Sequence, residues 1–278
     1  MSTAFISPRN YILDGTPTGW NGPGTIAITI ASAMDGRVDS VSRFIPNDPD
    51  SPAAGCGAYW TFASVKPIQI CALLNHNIPS GVDVICTLQD LGLSLLDYKV
   101  LTVPDDLDGY QRNLVFAFDA EHDVGVVNFS IGASGTPLVN GDAVDVGEFW
   151  AGQLWTPESG IVFETPLGFT DPSLQAFSAG GQGFTAERNI YREVSMQFPA
   201  LTEAELLGGE DAGLSLKSIF GYAGARLPVL IGPTRSSQFL LNSTVICGLM
   251  SANLKPSPVA RKDGSRVWKA SIDVRELR

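Results

Sequence analysis

The sequence predicts a mostly β chain, in which a large antiparallel β-sandwich or jelly roll precedes a smaller β-rich or α+β domain. Three observations support this fold class. Gly and Pro are frequent, at 29 and 18 of 278 residues, and such turn residues separate the short strands of sandwiches. Apolar residues make up 44% of the chain and charged residues 17%, which is typical of a globular protein. Segments that alternate apolar and polar residues, the period of a half-buried strand, recur along the chain.

Strand alternation is clearest in the first half of the sequence. The segment Val82–Leu88 places its apolar residues two apart, so that they share one face of a strand. Turn residues at 75–81 precede it. The acidic stretch Asp119–Asp123 is predicted to form a solvated hairpin tip between two later strands. The predicted strands of this half are 26–30, 68–74, 82–88, 114–118 and 124–131.

The composition changes near Ser178–Gly183, where a linker or a long turn is predicted. After it, Thr202 and Glu205 have the spacing of a capping box, which predicts the start of a helix that Gly208 then shortens. A second short helix is predicted over 214–223. The predicted strands of this half are 194–198, 227–231, 244–250 and 268–275, the last with one apolar and one charged face.

Charge is distributed unevenly along the chain. Residues 1–187 hold 6 Lys/Arg and 21 Asp/Glu, whereas residues 188–278 hold 12 and 8. Because the change of sign lies close to the turn at 178–183, we predict two domains, 1–187 and 188–278, with the N-terminal strand able to pair with the second. The acidic part repels nucleic acid and anionic membranes, so neither is expected as a partner. Contacts made by residues 188–278 are expected to weaken with added salt.

Neither the start of the chain nor its cysteines suggest export. The sequence begins MSTAFISPRN, without a basic region followed by an apolar stretch, and no apolar run approaches ~18 residues. We therefore expect synthesis in a cytoplasm and no membrane insertion. Cys56, Cys71, Cys86 and Cys247 have no CxxC or Cys/His spacing. This indicates small buried side chains rather than metal ligands or disulfides.

Few residues suggest chemistry. His76 stands between two Asn residues in a turn, where satisfying backbone groups is a simpler role than general base. The stretch Asp119–Asp123, with Glu121 and His122, is the densest polar cluster that contains a His, but it lacks the spacing of a known metal site. Asp105–Gly109 partly resembles a calcium loop without its later bidentate Glu. We expect no enzyme, no catalytic residue, no cofactor and no metal.

The tryptophans allow two interpretations. Trp in a sandwich usually packs in the core. Alternatively, the rings line a sugar-binding face, in which case Trp150 and Trp155 are the candidate glycan contacts. Carboxylates are numerous enough for a glycosidase pair, but their spacing selects no pair. The residues concerned are Trp20, Trp60, Trp150 and Trp155.

Several segments resemble one group of viral proteins. Ile68–Gln89 (IQICALLNHNIPSGVDVICTLQ) resembles the strand–turn–strand core of galactose-binding-like, discoidin-type jelly rolls in tail proteins of long-tailed bacteriophages. In those proteins an L-x-N-H-N turn follows a buried strand, and Leu73–Asn77 matches it closely. Gly147–Trp155 (GEFWAGQLW) is similar to a later strand of the same group. Four further segments are similar to the ending of such tail-tip proteins: 191–198, 201–205, 227–231 and 268–276.

The resemblance spans roughly residues 60–278 and implies a structural protein of the distal tail or baseplate. Such a protein acts through protein–protein contacts, in a symmetric ring of copies that joins the tail tube to the tail-tip hub. It is made in the bacterial host cytoplasm and resides in the virion tail. The resemblance implies no catalysis. The alternative is a carbohydrate-binding module that contacts host-surface glycan, because a shared fold does not settle function.

Overall fold

A computed structural model describes residues 4–21, 26–28, 42–45, 55–104, 113–135, 138, 143–163, 168–177, 183–186, 191–208, 214–235, 237–251, 254–262 and 265–277. The chain divides into two compact units, each built from segments that are distant in sequence. The sandwich unit comprises Ser7–Leu154 and Arg235–Val245. The second unit comprises Met1–Ile6, Trp155–Thr234 and Ile246–Arg278.

Most described residues lie in strands. The strands are β1 (Phe5–Ser7), β2 (Thr16–Asn21), β3 (Ile26–Ile28), β4 (Ser42–Ile45), β5 (Cys56–His76), β6 (Val82–Gln89), β7 (Leu95–Thr102), β8 (Leu114–Gly135), β9 (Val144–Gly152), β10 (Val162–Phe163), β11 (Gly168–Thr170), β12 (Leu174–Phe177), β13 (Gly183–Ala186), β14 (Tyr191–Leu201), β15 (Val229–Gly232), β16 (Ile246–Met250), β17 (Ser257–Lys262) and β18 (Ser265–Glu276). The helices are α1 (Glu203–Leu207), α2 (Leu216–Tyr222), α3 (Gln238–Thr244) and a 3₁₀ turn at Tyr11–Asp14. Within the described residues, no helix has both the length and the apolar character needed to cross a membrane.

The strands of the sandwich unit form one antiparallel network that folds back on itself. The first part of β5 pairs with β2 and with the second part of β8, whereas the second part of β5 pairs with β9 and with the first part of β8. The β5–β8 register shifts between Thr61 and Lys66 and again between Ile68 and Ile70. Such irregularities let strands bend. The result is two layers, β2-β5-β8-β6-β7 and β3-β4-β9-β5-β8.

Aromatic rings from both layers meet in the core of the sandwich. Trp60 and Phe129 come from the first layer, and their ring centroids lie 4.6 Å and 5.5 Å from that of Phe149 in the second layer. Phe44 adds an edge-on contact to Phe149 at 6.2 Å. All four side chains are fully buried. Since burial stabilises a large apolar side chain by about 1.5–3 kcal/mol, this cluster is a main source of the unit's stability.

Helix α3 belongs to the sandwich unit and covers one edge of its second layer. Asn242 Oδ1 accepts a hydrogen bond from the Val115 backbone N–H at 3.0 Å. Gln238 Nε2 donates to the Val115 carbonyl oxygen at 2.7 Å. These side-chain amides bond the groups that a neighbouring strand would otherwise bond, so the first part of β8 presents no open edge at Val115.

The second unit is built on an antiparallel sheet with the order β1-β15-β16-β18-β14-β10, in which β11 also pairs with β14 and β17 with β18. Helices α1 and α2 supply Leu206 and Ile219 to its core. The predicted capping box is confirmed: Thr202 Oγ1 accepts from the Glu205 N–H at 3.2 Å, and Glu205 accepts from the Thr202 N–H at 2.8 Å. The second predicted helix is confirmed as α2.

A buried ion pair closes one end of this sheet. The carboxylate of Glu276 on β18 accepts from the backbone N–H of Arg192 on β14 at 2.9 Å and from the Arg192 Nε at 2.9 Å. Both side chains are buried. Removing one partner of such a pair leaves an uncompensated buried charge, so the pair fixes the β14–β18 register at this end.

The predicted fold class is confirmed at the level of architecture: the described residues are mostly β, with an antiparallel β-sandwich and a smaller α+β unit. The change between the units lies at Leu154–Trp155 instead of near residue 187, because β10 and β11 pair with β14 of the second sheet. The strand β1 lies at the edge of that same sheet. Residues 178–182 lie outside the described part, and the strands that flank them, β12 and β13, pair with each other.

Two local expectations differ from the structure. The stretch Asp119–Asp123 forms no hairpin tip, because β8 runs through it as a single strand of 22 residues. Its pairing with β5 is irregular there, which leaves the carboxylates exposed inside a strand. Helix α3 was not anticipated. The sequence pattern predicted a strand from residue 244, whereas β16 begins at Ile246.

Candidate functional site

The tryptophans that sequence reasoning offered as glycan contacts are buried. Trp150 is 0% and Trp155 is 6% exposed. The Trp150 indole N–H donates to Ser7 Oγ at 3.0 Å within the sandwich unit, and the Trp155 ring packs 5.7 Å from that of Phe198 within the second unit. Neither ring presents a face to a sugar, which corrects that assignment. Trp60 is also a core residue, and the side chain of Trp20 lies outside the described residues.

His76 has the structural role that its turn predicts. Its Nδ1 accepts a hydrogen bond from the Ile78 backbone N–H at 3.2 Å, and the side chain is buried. The preceding Asn75 has a φ of 52°, a left-handed conformation that Asn tolerates better than most residues. The residues Asn75–Ile78 therefore form a hydrogen-bonded turn at the end of β5, before β6.

The acidic stretch does not assemble a metal site. His122 Nε2 lies 3.3 Å from the carboxylate of Asp97 on β7, whereas Asp119, Glu121 and Asp123 are exposed. Among the described residues, no group of three or more His, Cys, Asp or Glu side chains is placed to hold a metal ion. The partial calcium-loop sequence at Asp105–Gly109 lies outside the described residues.

All four cysteines are free and buried, which confirms their interpretation as small core side chains. Burial raises the pKa of the Cys56 thiol to about 12. Burial, together with a hydrogen bond to Cys71, also raises the pKa of Cys86 well above its ordinary value. These thiols stay protonated near neutral pH and are poor nucleophiles.

A hollow of about 620 Å³ lies on the second unit's sheet. Its charged side chains are Glu193, Asp273 and Arg275. The guanidinium carbon of Arg275 lies 3.9 Å from the ring centroid of Tyr191, and Thr170 Oγ1 donates to Glu193 at 3.4 Å. The hollow is thus lined by side chains that contact one another, without a His or Cys. It brings together none of the residues that the sequence singled out as candidate sites.

The most unusual surface of the described chain is the edge of the sandwich at β7. Six large apolar side chains in and just before this strand are between 37% (Leu96) and 64% (Leu93) exposed. A run of exposed apolar side chains along one edge strand is a candidate interaction surface. We call it the β7 patch, and its members are Leu91, Leu93, Leu95, Leu96, Tyr98 and Val100.

The backbone of β7 is open on the same side. β7 ends the strand order and pairs with β6. Just beyond the strand, the Val103 N–H donates to the Val82 carbonyl oxygen at 2.9 Å, toward the β6 side. Because backbone directions alternate along a regular strand, the N–H and C=O groups of Tyr98 and Val100 point away from β6. The pairing of β7 with β6 shifts register at Leu96, between the pairs Leu88–Asp97 and Gln89–Leu95. The Tyr98 N–H accordingly donates to the neighbouring Asp97 carboxylate at 2.7 Å.

The charged residues of β7 point toward the opposite layer. Lys99 Nζ donates to the Ala117 carbonyl oxygen of β8 and lies 5.9 Å from the ring centroid of Phe118. Asp97 contacts His122 as described above. The strand β7 therefore has the apolar side chains of the patch on its outer side and one negative and one positive side chain, Asp97 and Lys99, on its inner side. Sequence reasoning missed this site, although the apolar content of Leu95–Leu101 could have indicated the strand.

The first layer, which contains β7, also carries a row of aromatic and polar side chains across its outer face. The strand registers place Tyr98 opposite Thr87, Thr87 opposite Asn128, and Asn128 opposite Tyr59. Thr87, Asn128 and Tyr59 are half-buried, and Tyr98 is exposed. Two rings flanking hydrogen-bonding side chains offer both stacking and polar contacts to a flat ligand.

Comparison of the sequence with protein-family models finds no match, and comparison with curated proteins finds none either. Among solved structures, the chain is similar to the family 32 CBM from C. perfringens NanJ in complex with galactose. That likeness has 13% identity, a TM-score of 0.37 and coverage of 54% of this chain and 99% of that one. A Streptococcus pneumoniae fucose binding module, SpX-3, matches at 14% identity and a TM-score of 0.34 over 52% of this chain and 98% of that one.

A third likeness is to a viral protein, the enzymatically active domain of tailspike protein 4 from bacteriophage CBA120. It has 12% identity and a TM-score of 0.33, and it covers 52% of this chain and 20% of that one. With TM-scores below 0.5, none of these likenesses transfers an activity or a ligand to this chain. The candidate surface is therefore defined by the geometry of β7 and its neighbours.

Proposed function

We propose that the chain is a structural protein of a bacteriophage tail tip or baseplate that acts through contacts with copies of itself and with other tail proteins. The β7 patch carries this proposal, because an open strand edge with exposed apolar side chains is a surface suited to another protein. The uneven charge supports it too. The sandwich unit holds 7 Lys/Arg and 17 Asp/Glu, whereas the second unit holds 11 and 12.

This function involves no catalysis. The resemblance of the sequence to distal tail proteins is its second support. In this view the copies form a symmetric ring, whose neighbours are the tail tube and the tail-tip hub. The protein is made in the host cytoplasm and ends in the virion tail. Self-association and contact with tail proteins are the two activities that experiments can measure directly.

The test combines sedimentation of the purified chain with co-sedimentation on phage tails. We expect species larger than a monomer that grow with protein concentration, together with binding to tails. A chain that stays monomeric at about 1 mM, a concentration at which even very weak contacts form, and that never co-sediments with tails would contradict the proposal. Because rim charges govern such contacts, raising the salt concentration from about 50 to 500 mM should weaken assembly.

A second candidate function is glycan binding, and the row Tyr98–Thr87–Asn128–Tyr59 favours it. Tyr98 gives a sugar ring an exposed face, and Asn128 and Thr87 supply hydrogen-bonding groups beside it. Calorimetric titration with a panel of neutral glycans tests this candidate. Binding that Tyr98→Ala abolishes and Tyr98→Phe retains would support it, since Phe keeps the ring face. Absence of heat with every glycan would leave the structural role as the better-supported function.

A further inference from the structure

We infer that β7 docks on β7 of a second copy of this chain, the two strands running antiparallel about a twofold axis through Tyr98. The inference deepens the proposed function and rests on it in one respect, since it takes self-association as the mode of action. It identifies the contact surface, the orientation of the partner and the register of the strands. Each of these follows from a separate property of β7.

The first property is the sequence of the strand, which is symmetric in character about Tyr98. Residues 95–101 read LLDYKVL, that is, two apolar residues, an acid, a tyrosine, a base and two apolar residues. In an antiparallel pair centred on Tyr98, each Asp97 lies opposite Lys99 of the other copy. Leu96 then lies opposite Val100. An isologous contact requires this self-complementarity.

The second property is the direction of the backbone groups. Tyr98 points its N–H and C=O away from β6, so two copies of Tyr98 can exchange both hydrogen bonds across the axis. Val100 likewise points its backbone groups outward, toward Leu96 of the second copy on each side of the axis. Asp97 and Lys99 then form the intervening pairs without backbone hydrogen bonds. In such pairs the side chains of opposite residues lie closest.

The third property is that charge selects this register over the others. A pair centred on Asp97 or on Lys99 places like charges directly opposite one another. A pair centred between two residues places Asp97 opposite Tyr98 or Val100, without a charged partner. Inward-pointing charges ordinarily keep edge strands from pairing. On β7 the two charges have opposite signs, so they can pair across the axis with a second copy in the register centred on Tyr98.

The symmetry of the contact limits its place in an assembly. A twofold contact joins two copies and cannot by itself close a ring of more than two. In the proposed tail structure, β7 pairing therefore links copies of two rings or pairs the copies within one ring, while other surfaces make the ring contacts. The outer row of the β7 patch, which Tyr98 and Val100 help to form, becomes continuous across the axis.

Charge reversal tests the register on the full chain, with sedimentation equilibrium as the measurement. Asp97→Lys brings two lysines opposite one another in the homodimer, and Lys99→Asp brings two aspartates together. We expect each variant to raise the dimer dissociation constant at least tenfold. An equimolar mixture of the two variants restores opposite charges at both positions, so we expect it to dimerise as tightly as the wild type. Loss of the intrachain contacts of Asp97 and Lys99 would not produce this rescue.

A matched pair of lysine variants tests the surface independently of the charges. Val100 on β7 and Val65 on β5 are 44% and 43% exposed. We expect Val100→Lys to weaken dimerisation at least tenfold and Val65→Lys to leave it unchanged. Circular dichroism confirms that each variant folds. If a charge-reversal variant does not fold, this pair still decides the outcome.

The results separate this inference from the proposed function. Oligomers that respond to neither charge reversal nor Val100→Lys would overturn β7 pairing while leaving self-association intact. A wild-type chain that is monomeric alone but co-sediments with tails would overturn β7 pairing while leaving the contact with tail proteins intact. Variants that fail to rescue each other in the mixture would overturn the Tyr98-centred register. A chain that neither self-associates nor binds tails would contradict both.

Discussion

Two edges of the sandwich unit, one in each layer, differ in how they are covered. The first part of β8 has no strand beyond it, but α3 side chains bond both backbone groups of Val115, and Lys99 bonds the carbonyl of Ala117. β7 also has no strand beyond it. Its outward backbone groups have no covering helix among the described residues, and the side chains beside them are exposed and apolar.

The comparison shows that the fold covers the β8 edge at Val115 and leaves the β7 edge open. The covering groups on β8 are amides and an ammonium, which replace a strand's hydrogen bonds without offering an apolar surface. On β7 the Tyr98 N–H donates to the adjacent Asp97 carboxylate, a local contact that is easily exchanged. Because unprotected edges tend to pair with other chains, the β7 edge is where we propose that copies of the chain associate.

The largest expected difference between the edges is in thiol accessibility. Cys86 lies on β6, one strand in from the open edge, and is fully buried. At pH 8 we expect an alkylating reagent to modify Tyr98→Cys on β7 about a thousandfold faster than Cys86, since Cys86 must await local opening and its pKa is raised. Mass spectrometry of timed samples measures both rates. Comparable rates would mean that β7 detaches readily from β6.

The buried thiol of Cys56 predicts a loss of stability of the sandwich unit at alkaline pH. The pKa of Cys56 is about 12 in the folded chain against an ordinary 9.0, so the folded state keeps a proton that the unfolded state releases. This contribution is fully present below pH 9 and is lost as the pH rises from 9 toward 12. The urea midpoint should fall between pH 8.5 and 10.5 in the wild type. We expect the urea midpoint of Cys56→Ala to fall less over the same pH range. If both midpoints fall equally, groups other than Cys56 cause the loss of stability.

Uncovering the β8 edge is expected to destabilise the sandwich. Asn242→Ala removes the acceptor for the Val115 N–H, a buried group that then lacks this bond. The expected cost is about 2–3 kcal/mol in the free energy of unfolding, measured by urea titration. Ser243→Ala changes the next residue of the same helix, whose hydroxyl donates to the Phe239 carbonyl oxygen within α3, and serves as the control. If both variants lose the same stability, α3 does not act through this bond.

A smaller effect is expected where the two edges are connected. Lys99→Met keeps an unbranched side chain near Phe118 but removes the hydrogen bond to the Ala117 carbonyl. We expect a loss of about 1 kcal/mol in unfolding free energy, together with weaker self-association because Asp97 of a partner loses its opposite charge. Unchanged stability would show that water replaces the ammonium at this edge.

The smallest expected effect is on the stability of the open edge itself. Val100→Lys changes an exposed side chain that contributes little to the core. We therefore expect the free energy of unfolding to change by no more than about 0.5 kcal/mol. Urea titration measures it at a protein concentration where the chain is monomeric. A larger loss would mean that Val100 packs within its own chain and that the patch is less available than its exposure indicates.

Parts of the structure could be predicted from sequence because their signals are local. The period of two in Val82–Leu88 matches the alternating burial of β6, and the capping box at Thr202 fixes the start of α1. The turn at His76 also follows from the residues that form it. The unit boundary could not be predicted from the charge or the glycines at 178–183, since it depends on which strands β10 and β11 pair with.

The sequence by itself determined that this chain is mostly β, that its cysteines are core residues, and that β7 has a self-complementary order of residues. The tertiary structure decided which strands lie at an edge. β6 and β7 each contain five apolar residues among eight, yet β6 is flanked by two strands and β7 by one. Burial depends on neighbours in space, so the open edge emerges only from the pairing of strands that are distant in sequence.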